Sequence, residues 1–323
     1  MQTSERHNSP KGIGFWFTCL KELGETIDIR FERKETGSEK TETFFRSHEV
    51  FDGIGAFQDI LEKEGIPAPS TPQLDPKWKR PGIFKRLVAM WRAATYPINW
   101  EVQWKKRITP KGENLFLSHA FSKEETNAIR QAAKKAGCGM TAYLLIPLNR
   151  VLLQELIDPD EHPQLWQVPV NLRSGEESNN RSSYIAMEFS EGETTASFTS
   201  KFQDRLQKNI HWGVWGLGAF VGRWMKPMAR KWVRRHYENQ NPPFVGSFAN
   251  IGNWVVPQKE AETWALSGIV TKIRPLGAAA MTFNGRLSLS LLFHNTLEND
   301  PAKVSHLLDL WKKGVIDFEE ETP

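Results

Sequence analysis

Hydrophobic positions recur along the chain in blocks that predict a mixed α/β protein. Near the N-terminus, Gly12–Leu20 and Thr26–Arg33 read as strands joined by a turn at Gly24. The polar run 35–40 (ETGSEK) reads as a hairpin connection into a third strand carrying Thr43, Phe44 and Phe45. Ile54, Phe57, Ile60 and Leu61 then return at helical spacing. Residues 66–76 (IPAPSTPQLDP) predict a linker. Ile83, Leu87, Met90 and Trp91 mark a helix with Lys85, Arg86 and Arg92 on its other faces.

A second unit begins near Asn114. Leu115–Phe121 reads as a strand, and Ser122–Glu125 as a capping box opening a helix that runs through Lys135 and stops at Gly137. Thr141 is expected to cap a more apolar helix, Ala142–Leu156. Trp166–Arg173 and Tyr184–Phe189 read as strands, Phe198–Asn209 as a polar helix, and 210–237 as a helical segment broken by glycines and Pro227. Phe244–Gly252 and the alternating Gly285–His294 read as strands. In Asn299–Trp311, Val304, Leu307, Leu308 and Trp311 share one helical face. The expected division is 1–66, an abbreviated N-terminal lobe; 67–112, a linker and a basic, tryptophan-rich helical segment; and 113–323, a C-terminal lobe.

Composition changes this picture in a few places. The chain has 323 residues, 39% hydrophobic and 25% charged, as a folded globular protein does. Net charge is only +4, which implies no nucleic-acid partner. Cys19 and Cys138 are the two cysteines, far apart and without histidine at ligand spacing, which argues against a zinc site or a disulfide framework and suits a reducing cytoplasm. The first twelve residues are polar and lack the apolar core of a signal peptide, and no run is long and apolar enough to span a bilayer. Thirteen tryptophans are the oddity: Trp78, Trp91, Trp100 and Trp104 fall in one basic stretch, and Trp212, Trp215, Trp224 and Trp232 in another. A basic amphipathic helix with tryptophans fits an anionic membrane surface, and equally a helix packed on its own protein with a solvated basic face.

The candidate chemistry lies in Thr43-Phe-Phe-Arg-Ser-His-Glu-Val-Phe-Asp-Gly-Ile-Gly55. His48 leaves the end of a strand, Asp52 follows four residues later, and Gly53 and Gly55 are expected to permit a sharp entry into the helix. A loop imidazole held by a rigid scaffold suits general-base work, because its ordinary pKa lies near neutrality.

This HxxxDG pattern at a strand–loop–helix junction resembles the superfamily that holds chloramphenicol acetyltransferase, peptide-synthetase condensation domains and wax ester synthases. The resemblance implies an α/β (α+β) protein of two chloramphenicol-acetyltransferase-like lobes of mixed sheet plus helices, with the active site between them. Only 47 residues precede His48, so the first lobe is expected to be abbreviated or completed by another subunit. Where many members carry a doubled histidine, this chain has Ser47-His48. In the family the motif aspartate points away from substrate and pairs with an arginine. The stretch Pro169-Val-Asn-Leu-Arg173 is similar to the one that supplies it, making Arg173 the candidate partner of Asp52. Ser247-Phe-Ala-Asn-Ile-Gly252 resembles the family's S-N-x-G strand end, which implies Asn250, and less strongly Ser247, as donor to a tetrahedral oxyanion. The order strand, His294, Glu298, Asn299, helix echoes the His48 motif as a faint duplication, with His294 as a relic.

The expected function is acyl transfer from a CoA or carrier-protein thioester to a hydroxyl or amine, His48 acting as base and Asp52, Gly53 and Arg173 shaping the loop. Neither a metal nor a bound redox cofactor is implied. The segment with Trp215 and Trp224 is open to three roles: lining an acyl tunnel, touching a membrane or filling core. A lipid-like acceptor, a cytoplasmic location with peripheral contact to the inner face of a membrane, and a homo-oligomer fit the same reading. The other function class is a non-catalytic binding or scaffold protein that keeps the fold.

Overall fold

The computed structural model describes residues 12–318 except 36, 39, 68–78, 97–100, 107, 159–161, 174–178, 191 and 239–242. In chain order the elements are α1 (Gly14–Glu22), β1 (Asp28–Glu35), β2 (Thr41–Ser47), α2 (Gly53–Lys63), α3 (Ile83–Ala94), β3 (Leu115–Ala120), α4 (Lys123–Lys135), α5 (Met140–Glu155), β4 (Gln164–Asn171), β5 (Ser182–Phe189), α6 (Thr195–Gln207), α7 (Ile210–Trp224), α8 (Lys226–Glu238), β6 (Gly246–Trp254), β7 (Glu262–Leu266), β8 (Leu276–Phe283), β9 (Arg286–Phe293) and α9 (Pro301–Ile316). Most of the expected linker, 68–76, lies outside the described residues.

The larger sheet runs β3-β9-β8-β6-β4-β5. Its β4, β6 and β8 are parallel and its other pairings antiparallel. Period-two alternation assigns the two faces. Val168, Val170, Ile185, Met187, Phe248, Ala278, Ala280, Leu289 and Leu291 pack with α4, α5, α6 and α9 into the main core. Ala249, Ala279 and Met281 point the other way, into a second core shared with the small lobe.

That small lobe is the sheet β2-β1-β7 with α2. Ile29 and Phe31 alternate inward from β1. Phe57 of α2 lies at the centre, with ring centroids 5.6 Å from Phe31, 4.9 Å from Trp254 and 5.0 Å from Trp264. Aromatic pairs at these separations add attraction beyond the area they bury. Trp166, Trp254, Trp264 and Trp311 are all fully buried, so part of the tryptophan content serves the cores.

Several expectations are corrected. Gly14–Glu22 is a helix, where a strand was expected over Gly12–Leu20. Its near-continuous apolar run fits either state by pattern, and Trp16 Nε1, donating to the Gly218 carbonyl at 2.8 Å, ties it to α7 as a helix. Thr141 does not cap α5; Gly139 precedes that helix and no side chain closes it. The glycines of 210–224 do not break α7, and the interruption comes at Met225, just before Pro227 enters the first turn of α8. Strands β7 and β8 lie where no element was expected. Strand β8 is buried at every position and rich in alanine, a residue with little strand preference of its own.

The largest consequence for organisation comes from β7. It belongs to the late part of the chain, yet it pairs antiparallel with β1, Phe31 opposite Leu266. The small lobe therefore crosses the division expected at residue 66. Ser267 N–H donates to the Arg30 carbonyl at 2.7 Å, and Ser290 Oγ donates to the Leu266 carbonyl, so the two lobes are stitched by hydrogen bonds as well as by packing.

Candidate active site

Strand β2 ends at Ser47, and the His48 backbone N–H still reaches across to the Ile27 carbonyl at 3.1 Å. This bond sets where the histidine leaves the sheet. The chain then turns through Glu49–Phe51 into α2. The His48 Nδ1 lies 2.7 Å from the Phe51 carbonyl. A carbonyl only accepts, so Nδ1 carries the hydrogen in the neutral ring and the Nε2 lone pair is left for chemistry. Phe17 of α1 stands edge-on to the imidazole at 4.9 Å between centroids. Burial pushes the imidazole down from 6.5 to about 4, against the opposing pull of the Phe51 hydrogen bond and the Asp52 charge, with Arg274 adding to the depression. The residue as a whole is half-buried.

Asp52 has several partners. It is the N-cap of α2, Oδ1 accepting from Gly55 N–H at 3.0 Å. The same oxygen accepts from Arg173 Nη2 at 2.6 Å, and Oδ2 accepts from Arg181 N–H at 2.9 Å. Arg173 is 0% exposed, and its guanidinium also donates to the Asn179 carbonyl at 2.7 Å and to Asn171 Oδ1 at 3.2 Å. Between the two side chains the pair is one charge-assisted bond, Nη2 to Oδ1, rather than a fork-to-fork arrangement. Asn180 completes the frame: its Nδ2 donates to the His48 carbonyl at 2.8 Å and its N–H to the Val50 carbonyl at 2.7 Å. The His48 loop is held at both ends by the segment that follows β4.

Gly53 has a different role from the one its sequence position suggests. Its φ is not in the left-handed region. A Cβ built there would meet Ile251 Cγ2 at 3.0 Å and Leu266 Cδ1 at 3.4 Å, so the missing side chain lets α2 start hard against β6 and β7.

The structure separates the other predicted site residues. Asn250 shares the helix-facing side of β6 with Phe248, and its amide oxygen accepts from its own Gly252 N–H at 3.0 Å. It points away from the side that faces the small lobe, and among the described residues no contact joins it to His48. Ser247, one step out of phase, is buried on the near side, where it pairs in register with Gln167. Trp224 is 67% exposed, with the Arg223 guanidinium 4.8 Å over its ring, so it offers outer surface rather than a tunnel wall. Trp215 is half-buried on α7. His294 is buried, Nε2 3.3 Å from Glu25 and Nδ1 2.7 Å from Thr296 Oγ1.

Sequence reasoning missed Arg274. It closes the turn that begins at Thr271, its guanidinium donates to Gln167 Oε1, and its charge acts on both His48 and Tyr184. Nothing in GIVTKIRPLG marks it, because only the folded β7–β8 connection brings it to the His48 side. Among the described residues, no three His, Cys, Asp or Glu side chains gather as a metal site.

No family model matches the sequence, and no curated protein matches it. Solved structures do share the fold. Trichothecene 15-O-acetyltransferase from Fusarium sporotrichioides aligns with a TM-score of 0.55 at 13% identity, over 96% of this chain and 76% of that one. The wax ester synthase/diacylglycerol acyltransferase from Marinobacter aquaeolei VT8 aligns at 0.50 with 14% identity, over 85% and 66%. The epimerization domain from the third module of tyrocidine synthetase B aligns at 0.50 with 14% identity, over 86% and 68%. The two-lobed α/β architecture is a fold shared with these acetyltransferase, acyltransferase and epimerization-domain structures.

Proposed function

We propose that this chain transfers an acyl group from a thioester to a hydroxyl or amine acceptor. His48 Nε2 removes the acceptor's proton as its oxygen or nitrogen attacks the thioester carbonyl. The tetrahedral intermediate then collapses, the C–S bond breaks, and the departing thiolate takes the proton from the imidazolium. CoA or a carrier's pantetheine arm supplies the thiol, and a hydrophobic acceptor fits the aromatic surroundings. The observation that carries this reading is the neutral tautomer fixed by the Phe51 carbonyl, on a loop pinned by the buried Asp52–Arg173 pair. Of the two oxyanion donors expected from β6, the strand register favours Ser247 over Asn250.

Thiol release from a panel of acyl-CoA thioesters, with alcohols and amines as acceptors, tests it. The His48→Ala chain should keep its far-UV circular dichroism and lose roughly 10²–10⁴-fold in rate. Equal turnover by both chains would end the proposal. The face Asn250 presents favours one other reading, a binding protein that retains the fold without an assembled oxyanion site. Saturable acyl-CoA binding without turnover by the wild-type chain would select that reading.

A further inference from the structure

The helical layer beside the large sheet carries a surface that the site does not use. Helix α3 lies along α7, close enough that a Cβ on Gly213 would stand 2.2 Å from the Ala89 carbonyl oxygen and one on Gly216 3.0 Å from Met90 Sδ. That contact occupies one side of α3. On the other side Ile83, Phe84, Leu87, Val88 and Trp91 follow one another at helical spacing, all exposed, with Phe84 at 82% and Trp91 at 65%. Phe220 and Trp224 continue the line of Gly213 and Gly216 along α7, and Met228 and Trp232 carry it onto α8. Among the described residues, the exposed large apolar side chains away from this layer are Phe45, Val255 and Ile316. Exposed apolar side chains gathered on one helical layer in this way mark an interaction site.

Its charge says what kind. Residues 79–92 hold five Lys or Arg and residues 223–235 hold six, with no Asp or Glu in either stretch. Arg230 is taken by Glu22, at 2.7 and 3.0 Å. On α3, Lys85 and Arg92 flank the apolar arc, and Lys79 and Lys85 line an open concavity of about 600 Å³ at its start. A second copy docking through this face would set cations against cations. Anionic lipid matches both halves of the pattern: headgroups meet the lysines and arginines, while Trp91, Trp224 and Trp232 seat at the boundary that tryptophan favours.

We infer that α3, α7 and α8 form a docking face for an anionic lipid bilayer, with the apolar side chains entering the headgroup–acyl boundary and the basic residues contacting the lipid charge. The inference stands apart from the chemistry assigned to His48. Co-sedimentation of the full chain with vesicles of phosphatidylcholine alone, or mixed with phosphatidylglycerol, at low and high salt, tests it. The wild-type chain should pellet with the mixed vesicles, less so at high salt and little with phosphatidylcholine alone. Phe84→Ser with Trp91→Ser should weaken binding by at least ~10-fold, and Lys85→Glu with Arg92→Glu by at least ~25-fold, about 5-fold for each positive charge removed. All four side chains are exposed, so these variants keep the fold; Phe45→Ser on β2 should bind as the wild type does. The inference is overturned if the wild-type chain stays in the supernatant, or if the two double variants pellet as well as it does. It also fails if the protein is a concentration-dependent dimer that the same substitutions dissociate.

Discussion

At the scale of single residues, the His48 environment makes a statement about pH. Desolvation holds the imidazole down to about 4, so it is neutral and able to accept a proton across the whole range above that value. The acid limb of kcat/KM should therefore fall well below the 6.5 of an ordinary histidine, while an acid limb near 6.5 would show a freely solvated ring. The same shift links to folding. Between about 4 and 6.5 the unfolded chain binds the proton and the folded chain does not, so this residue's contribution erodes as pH falls through that window and is intact above it. Asp52 yields a sharper test. Asp52→Asn keeps much of the shape at the cap but removes the carboxylate charge that meets buried Arg173 Nη2 at 2.6 Å, and breaking a buried pair from one side costs about 3–5 kcal/mol. Urea unfolding should show that loss. A change under 1 kcal/mol, the scale of an exposed pair, would mean the guanidinium finds water. The HxxxDG spacing and the arginine after Pro-Val-Asn-Leu were legible because they are short, local patterns. Arg274 was not, since its approach depends on a connection between strands that carry no pattern of their own, and neither was the face Asn250 takes, because its motif specifies position along β6 alone.

At the scale of elements, close helix contact is the theme. Gly213 lets the backbones of α3 and α7 touch, and Gly222 does the same where α7 meets the start of α1, a Cβ there falling 2.0 Å from the Gly12 carbonyl oxygen. The rigid partner in each case is backbone, which cannot swing aside. Gly213→Ala should push α3 outward and lower stability by about 1–3 kcal/mol, seen as faster amide exchange over 83–94. Unchanged exchange there would show that the two helices do not depend on this contact. The reading of these glycines as helix breakers followed from intrinsic propensity, which packing overrides here. Tertiary context also decided α1, whose apolar run suits either state. By contrast the capping box of α4, with Ser122 and Glu125 reciprocally bonded at 3.1 and 2.8 Å, needs no partner element and was readable directly.

At the scale of the whole molecule, the lobes are not separable pieces of chain. Trp264 and Leu266 of β7 and Trp254 of β6 fill the core of a lobe whose other half comes from residues 28–66. Denaturation followed by tryptophan fluorescence and by far-UV circular dichroism should accordingly give one coincident transition. Two resolved transitions would mean that the shared strand does not couple the lobes. Two lobes were legible through the resemblance carried by the His48 motif, whereas the exchange of a strand between them was not, because pairing between distant segments leaves no local mark.

The pairing of Phe31 with Leu266 also sets a timetable. As the chain leaves the ribosome, β1, β2 and α2 emerge well ahead of β7, and the strand that closes their sheet follows about two hundred residues later. Through that interval Phe31 and Phe57 lack the tryptophans that cover them, and β1 presents an open edge. Contacts of such sequence separation slow folding and lengthen exposure to wrong partners. Synthesis of this protein therefore carries a long vulnerable phase that ends only when β7 arrives, and its nascent chain is the form that most needs a chaperone.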